Sequence, residues 1–246
     1  MARRVSALRH DARARVRRMD AALERFYRTP TRALGNRKDP LEEAVYIILS
    51  FQTDLARLRA TWVDLRARYP DWQLLLDSPA TEVATVIRRG GLQVQKASRI
   101  KALLWAVQER VGELSLRCLR PMNDDDAERF LTRLPGLSWK GARCVTLYSL
   151  DRESFPVDGN TFRIFKRTGV ISKSDVYRRR QLHDALQHVV APERRKTFHI
   201  NVVVHGQRTC TPSSPDCHIC PIGGWCPRIG LPRPLPGLHR RQVATR

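Results

Sequence analysis

Near its C-terminal end the sequence carries Cys210, Cys217, Cys220 and Cys226, spaced C-x6-C-x2-C-x5-C within 17 residues. So dense a set of thiols constrains the fold more than any hydrophobic pattern, because the chain has to bend each sulfur toward a common centre. Two disulfides would close tiny, strained loops and would need an oxidising compartment that the sequence does not advertise. A metal centre needs neither. Structural zinc pairs its cysteines as two C-x2–4-C knuckles around a longer finger. Here only Cys217 and Cys220 form a knuckle, and single cysteines on either side suit a cubane 4Fe-4S cluster, which takes one thiolate per iron corner. The spacing therefore favours iron-sulfur, with zinc as the alternative. Cys118 and Cys144 stand alone and read as core thiols.

At 246 residues the chain can bury one sizeable core or two small ones. Lysine and arginine total 45 against 24 acidic residues, a net charge of +21, far beyond what solubility requires. A polyanionic partner is implied, nucleic acid before anionic membrane, since no apolar run approaches the roughly 20 residues that would span a bilayer. The N-terminal segment has no apolar core of the kind a secretory signal needs, and Asp11 and Asp20 argue against an organelle transit peptide.

Periodicity predicts helices and little else. Val5, Leu8, Ala12, Val16, Met19 and Leu23 form one apolar stripe of a basic helix within residues 1–38, ahead of a loop at Gly35. Asp39-Pro40 is a cap followed by a first-turn proline, and opens a dense apolar helix, LEEAVYIILSF. Spacings of three and four recur over Leu55–Tyr69, Pro79–Arg88, Lys96–Val111 and Asp124–Arg133, broken by proline and glycine. The β-branched run at 202–204 fits a short buried helix leading to the cysteines, so the fold class is all-α. Beyond Cys226 the chain turns proline-rich and basic, which predicts a disordered tail over 229–246.

Between two of these helices lies Leu134-Pro135-Gly136-Leu137-Ser138-Trp139-Lys140-Gly141-Ala142, a tight turn of small and apolar residues that runs straight into a helix start. Such a turn points unpaired backbone N–H groups outward, where they bind phosphate without reading sequence. This is the helix-hairpin-helix device. Lys140 sits where the turn becomes helix, and most lysines so placed are solvated charges. Asp158, in Phe155-Pro156-Val157-Asp158-Gly159-Asn160, precedes a predicted helix over Thr161–Thr168 and suits an N-cap.

The hairpin, Lys140, Asp158 and the four-cysteine loop, in that order, resemble the endonuclease III branch of the helix-hairpin-helix DNA glycosylases over residues 40–228. Leu49-Ser50-Phe51-Gln52-Thr53-Asp54 resembles the family's Leu-Ser-x-Gln segment, and Gly91-Leu92-Gln93-Val94-Gln95-Lys96-Ala97 its Gly-Leu-x-x-x-Lys-Ala loop. The resemblance implies a six-helix barrel with the hairpin over 40–152, a 4Fe-4S cluster domain from 1–39 and 153–228, and a cleft between them. It also implies base-excision repair: Lys140 as nucleophile, Asp158 as its carboxylate partner, and a Schiff base that permits β-elimination at the sugar of an oxidised pyrimidine. An amine attacks only when neutral, so positive surroundings that lower the Lys140 pKa are expected, and a carboxylate at the cleft floor stabilises the oxocarbenium-like sugar. Gln52 and Leu92 would fill the gap left by the flipped nucleotide.

The expected DNA contacts are Gln52, Leu92, Pro135, Gly136, Leu137, Ser138, Gly141, Arg163, Lys166 and Arg167, with Cys210, Cys217, Cys220 and Cys226 as cluster ligands. The expected partner is duplex DNA with damaged bases or abasic sites, met by a monomer in the cytoplasm at the nucleoid. Three departures from the family pattern matter. Ser138 replaces a usual hairpin glycine, which is expected to alter the phosphate grip. Asn160 stands where histidine is common, which is expected to loosen the pocket wall. The loop 211–216 has no basic residue, which shifts the electrostatic contact toward the first helix, the hairpin and the arginines after Asp158. Two other functions share the fold: a lesion-sensing DNA-binding protein with weak or no excision, and a monofunctional mismatch glycosylase, against which Lys140 speaks.

Overall fold

The computed structural model describes residue 8, residues 10–28, residue 30 and residues 33–232, so Val5 and most of the expected tail lie outside the described residues. Among the described residues there are α-helices and short 3-10 turns and no strand. No helix among them is long and apolar enough to cross a membrane.

The first helix, α1 (Ala12–Tyr27), ends well short of residue 38, with Arg28 left-handed at φ 45° and its N–H closing on the Glu24 carbonyl. Pro30 follows, and proline cannot continue a helix. The stripe holds as expected: Ala12, Val16, Met19 and Leu23 are buried, with Leu8 packed against them. Next come α2 (Pro40–Leu49), α3 (Leu55–Arg68), α4 (Trp72–Asp77), α5 (Ala80–Val86), α6 (Gln93–Val111), α7 (Asp124–Thr132) and α8 (Trp139–Ser149). The chain then continues through α9 (Gly159–Thr168), α10 (Arg180–Gln187) and α11 (Arg195–Arg208) to the cysteine loop. Asp39 opens α2 by accepting from Leu41 N and Glu42 N, with Pro40 in the first turn, as the sequence predicts. α4 and α10 are additions. Each is too short for its periodicity to stand out, and the only local signal for α4 is Asp71, which caps it by accepting from Gln73 N.

Apolar side chains gather in two cores. Ile48, Leu65, Ile100, Leu131 and Val145 belong to the first, drawn from α2, α3, α6, α7 and α8. The second sets the α1 stripe against Phe155, Phe165, Phe198, Leu182 and Ile222. Its phenyl rings stack at centroid separations of 6.3, 5.8 and 6.2 Å. α11 serves both: Ile200, Val203 and Val204 face the first core and Phe198 and Val202 the second. A helix wedged between two apolar cores reads as an unbroken β-branched run, which is the reason for the 202–204 pattern.

Candidate active site and cluster loop

The hairpin joins α7 to α8. Gly136 takes φ 81°, and a Cβ there would stand 3.0 Å from Ile48 Cδ1, so both conformation and space require glycine. Leu137 is buried in the first core, while Pro135 and Ser138 are exposed. Side chains thus hold the turn inward while its outer edge faces solvent. The expectation for Ser138 needs correction: its backbone is extended at φ −96°, where any residue is at ease. Its hydroxyl caps α8, accepting from Gly141 N at 3.4 Å.

A cavity of about 930 Å³ opens beside the hairpin, lined by Lys140, Asp158, Gln52, Leu92, Tyr177 and His199 among others. Lys140 is the second residue of α8 and Asp158 is the N-cap of α9, so two helix starts bring together residues distant in sequence. Asp158 Oδ1 accepts from Thr161 N at 2.7 Å and Oδ2 from Asn160 Nδ2 at 3.0 Å. The cap and the cavity-facing carboxylate are one group. Burial works against this charge, but His199, Lys140 and the two hydrogen bonds outweigh it and hold Asp158 below the usual carboxylate range.

Asn160 does not loosen the wall. Besides its bond to Asp158, its Oδ1 accepts from Arg163 Nη2 at 2.9 Å. A Cβ at Gly206 would lie 2.6 Å from Asn160, so the amide is seated on bare backbone.

The surroundings of Lys140 also reverse an expectation. Burial alone would lower its pKa, but Cys144, Asp158, Tyr177 and Glu43 prevail and raise it. Cys144, pushed up to about 12 by burial, is a neutral thiol at physiological pH. The charged acids near the amine are therefore Asp158 and, above pH about 8, Glu43. Glu43 lies at 0% exposure inside α2, with Asn36 Nδ2 donating to Oε1 at 2.5 Å and Arg37 N to Oε2 at 2.6 Å. Burial lifts its pKa to about 8.

Glu43, Cys144, Tyr177 and His199 are the residues that sequence reasoning missed here. The second of two acids opening the apolar helix α2 was a usable signal for Glu43, and a position one turn after Lys140 for Cys144. Tyr177 and His199 come from separate elements and carried none.

Gln52 and Leu92 both adopt left-handed backbone, at φ 51° and 50°, which costs a non-glycine residue roughly 1–2 kcal/mol. A buried lysine holds their loops together. Lys96 Nζ donates to Leu49 O and Gly90 O at 2.8 Å and to Thr53 Oγ1 at 2.5 Å, and Thr53 Oγ1 donates to Gly90 O at 2.7 Å. Burial lowers the Lys96 pKa to about 8. Three acceptors on one ammonium clasp the segments carrying Gln52 and Leu92 on one rim of the cavity.

Two of the basic residues of α9, Arg163 and Arg167, are turned toward the cysteine loop. Arg163 turns inward, donating from Nε and Nη2 to Cys210 O at 3.0 and 2.9 Å and from Nη2 to Gly206 O at 2.8 Å. Arg167 is buried, with Nη1 donating to Thr211 O at 2.7 Å and Cys210 Sγ at 3.2 Å, and Nη2 to Pro212 O at 2.7 Å. Both guanidinium groups fasten the cysteine loop, and that of Arg167 is buried there and turned away from solvent. Lys166 lies 5.0 Å from the Phe162 ring.

Cys210, Cys217, Cys220 and Cys226 are free thiols. The Arg167 guanidinium against Cys210 Sγ supplies positive charge where a thiolate-bound cluster is negative. At Gly223 a Cβ would come within 2.9 Å of Cys217 O, so only glycine lets the loop close. The donor set fits an iron-sulfur cluster.

Fold and site define a protein that is all-helical over the described residues, with a helix-hairpin-helix turn and a four-cysteine loop suited to iron-sulfur. The chain belongs to the HhH-GPD superfamily of base excision DNA repair proteins, whose model matches residues 45–191, and residues 210–226 match the iron-sulfur binding domain of endonuclease III. DEMETER-like protein 2 of Arabidopsis thaliana is 29% identical over 188 residues, 67% of this chain and 14% of that protein. The DNA glycosylase/AP lyase ROS1 of the same plant is 30% identical over 171 residues, 63% of this chain and 12% of that protein. The matched segment is thus a small part of these longer relatives. A non-covalent endonuclease III–DNA complex superposes with a TM-score of 0.73 at 21% identity, covering 87% of this chain and 94% of that one. A thermostable thymine-DNA glycosylase does so with a TM-score of 0.73 at 20% identity, covering 88% and 97%.

Proposed function

We propose that the chain is a bifunctional DNA glycosylase and abasic-site lyase that removes oxidised pyrimidines from duplex DNA through Lys140. The observation that carries this reading is the meeting of Lys140 and Asp158 on one cavity. Asp158 relays to solvent the proton that Lys140 sheds before attacking C1′ and, ionised again, faces the positive charge that grows on the sugar as the glycosidic bond breaks. Amine attack joins nitrogen to C1′ as the base departs with the bonding pair. Cleavage of the C1′–O4′ bond, with a proton passing from the nitrogen to O4′, opens the sugar and turns the adduct into a protonated Schiff base, which acidifies the C2′ proton, whose loss expels the 3′ phosphate. Because acids raise the Lys140 pKa, the reactive neutral amine becomes more abundant as pH rises, so the rate climbs toward alkaline pH.

Pro135, Gly136, Leu137, Ser138 and Gly141 bring backbone to phosphate in this reading, and Gln52 and Leu92 fill the vacated stack. Cys210, Cys217, Cys220 and Cys226 would hold a 4Fe-4S cluster, which cross-links a loop that has little apolar content of its own. In this reading a domain at 40–152 carries the hairpin, a domain at 1–39 with 153–228 carries the cysteine loop, and the protein acts as a monomer on cytoplasmic, nucleoid DNA. A lesion sensor or a mismatch glycosylase would have no use for a lysine beside the carboxylate.

Incision assays on duplexes carrying thymine glycol, dihydrouracil, uracil, a mismatch or an abasic site test the reading, together with borohydride trapping. Incision at the oxidised pyrimidines and the abasic site, with a trapped complex that Lys140→Ala abolishes, is the expected result. Tight abasic-site binding with no incision would replace it with the sensor.

A further inference from the structure

α8 and α11 bring together two side chains that the reaction above does not use. Tyr148 Oη lies 2.6 Å from His199 Nδ1, both residues are buried, at 6% and 3% exposure, and both line the cavity of Lys140 and Asp158. The other ring nitrogen, Nε2, is buried with no hydrogen-bond partner. An orphaned polar atom costs about 1–3 kcal/mol, and this one sits against the reaction cavity.

Counting donors settles the tautomer. If Nδ1 carried the proton, it would donate to Tyr148, leaving the phenol O–H and the Nε2 lone pair both unsatisfied. If Tyr148 donates to Nδ1, the proton lies on Nε2 and one orphan remains. Asp158 nearby favours the same choice, since its field attracts an N–H. The two hydrogen bonds it accepts, from Thr161 and Asn160, leave lone pairs of the carboxylate unfilled. A neutral donor and a carboxylate that interact electrostatically but share no hydrogen bond can both bond to one oxygen placed between them.

We infer that His199, fixed by Tyr148, is a positioning residue: its Nε2–H and Asp158 together hold one oxygen at the cavity floor, from water or the deoxyribose, which keeps Asp158 ionised and aimed at the sugar. The titratable groups that act on His199 are Asp158, Lys140 and Tyr148, and Cys144 lines the same cavity. Tyr148 and Cys144 keep their protons at neutral pH, their pKa values raised by burial. Burial likewise holds His199 neutral, with its pKa at about 4.

The inference rests on the Lys140 reaction, and one experiment separates the two. Single-turnover borohydride trapping on an abasic duplex is measured across pH for the wild type, His199→Phe, His199→Gln and Tyr148→Phe, with folding checked by circular dichroism. Without the donor, Asp158 protonates at higher pH. His199→Phe is expected to trap about tenfold more slowly, with the acid limb moved up by about one pH unit. His199→Gln, which keeps an N–H at similar reach, returns the limb toward wild type, and Tyr148→Phe shifts it in the same direction by less. An unshifted limb in folded His199→Phe, or equal loss in the Phe and Gln variants, overturns the role. If His199→Phe does not fold, an unshifted limb in Tyr148→Phe overturns it. A wild type that traps nothing sinks the Lys140 reading itself. Repeating the profiles with a tetrahydrofuran duplex as competitor distinguishes a held water, for which the variants compete equally, from a held ring oxygen, for which His199→Phe alone loses affinity.

Discussion

The hairpin and the cysteine loop flank the same cavity and are held by opposite means. Around the hairpin the forces are apolar and steric: Leu137 lies in the first core and Gly136 is fitted against Ile48. Around the cysteine loop they are polar, with Arg163 and Arg167 donating to the carbonyls of Cys210, Thr211 and Pro212. In a chain of charge +21 the tempting assumption is that every arginine near the site meets DNA. The difference teaches otherwise: Arg163 and Arg167 turn inward and fasten the cysteine loop.

The largest effect should come from breaking the polar side. Arg167→Ala removes a buried guanidinium with several acceptors, and a loss of about 3–5 kcal/mol is expected in denaturant unfolding, with reduced iron-sulfur absorption in the visible. A stable, fully coloured variant would mean that the loop does not depend on this clasp.

Glu43 sharpens the contrast, being the polar exception beneath the hairpin. Its folded pKa of about 8 exceeds its ordinary value of 4.5, so the native state prefers the neutral acid. That contribution is complete below pH 4.5 and is lost as pH rises through about 8. Glu43→Gln should therefore gain stability relative to wild type across this window, by on the order of 5 kcal/mol at the alkaline end. Parallel melting curves across pH would show instead that the carboxyl is solvated.

Gly136→Ala tests the steric side. Left-handed backbone and the approach to Ile48 together predict a loss of about 1–3 kcal/mol and weaker DNA binding, with the cluster absorption intact. The smallest effect belongs to Ser138→Ala, about 1 kcal/mol from the lost cap, with the salt dependence of DNA binding unchanged because the hydroxyl serves the helix.

The same contrast explains what was legible in the sequence. Helices held by an apolar stripe, such as α1 and α2, announce themselves through spacing, and the caps at Asp39 and Asp158 announce their starts. The hairpin was readable because a glycine and a buried leucine at fixed offsets are local facts. Where arginines point is not local: Arg163 and Arg167 look like phosphate contacts until the cysteine loop is seen folded over them. The charge around Lys140 was misread for the same reason, since Glu43 and Tyr177 reach it from other elements. His199 lay hidden in a run whose pattern reports burial and nothing more.

The central claim is that one particular amine forms the covalent link to the sugar. Peptide mapping of the borohydride-reduced complex by mass spectrometry tests it most directly. The account predicts the deoxyribose adduct on Lys140 alone, and an adduct on any other lysine, or on the N-terminal amine, would contradict it.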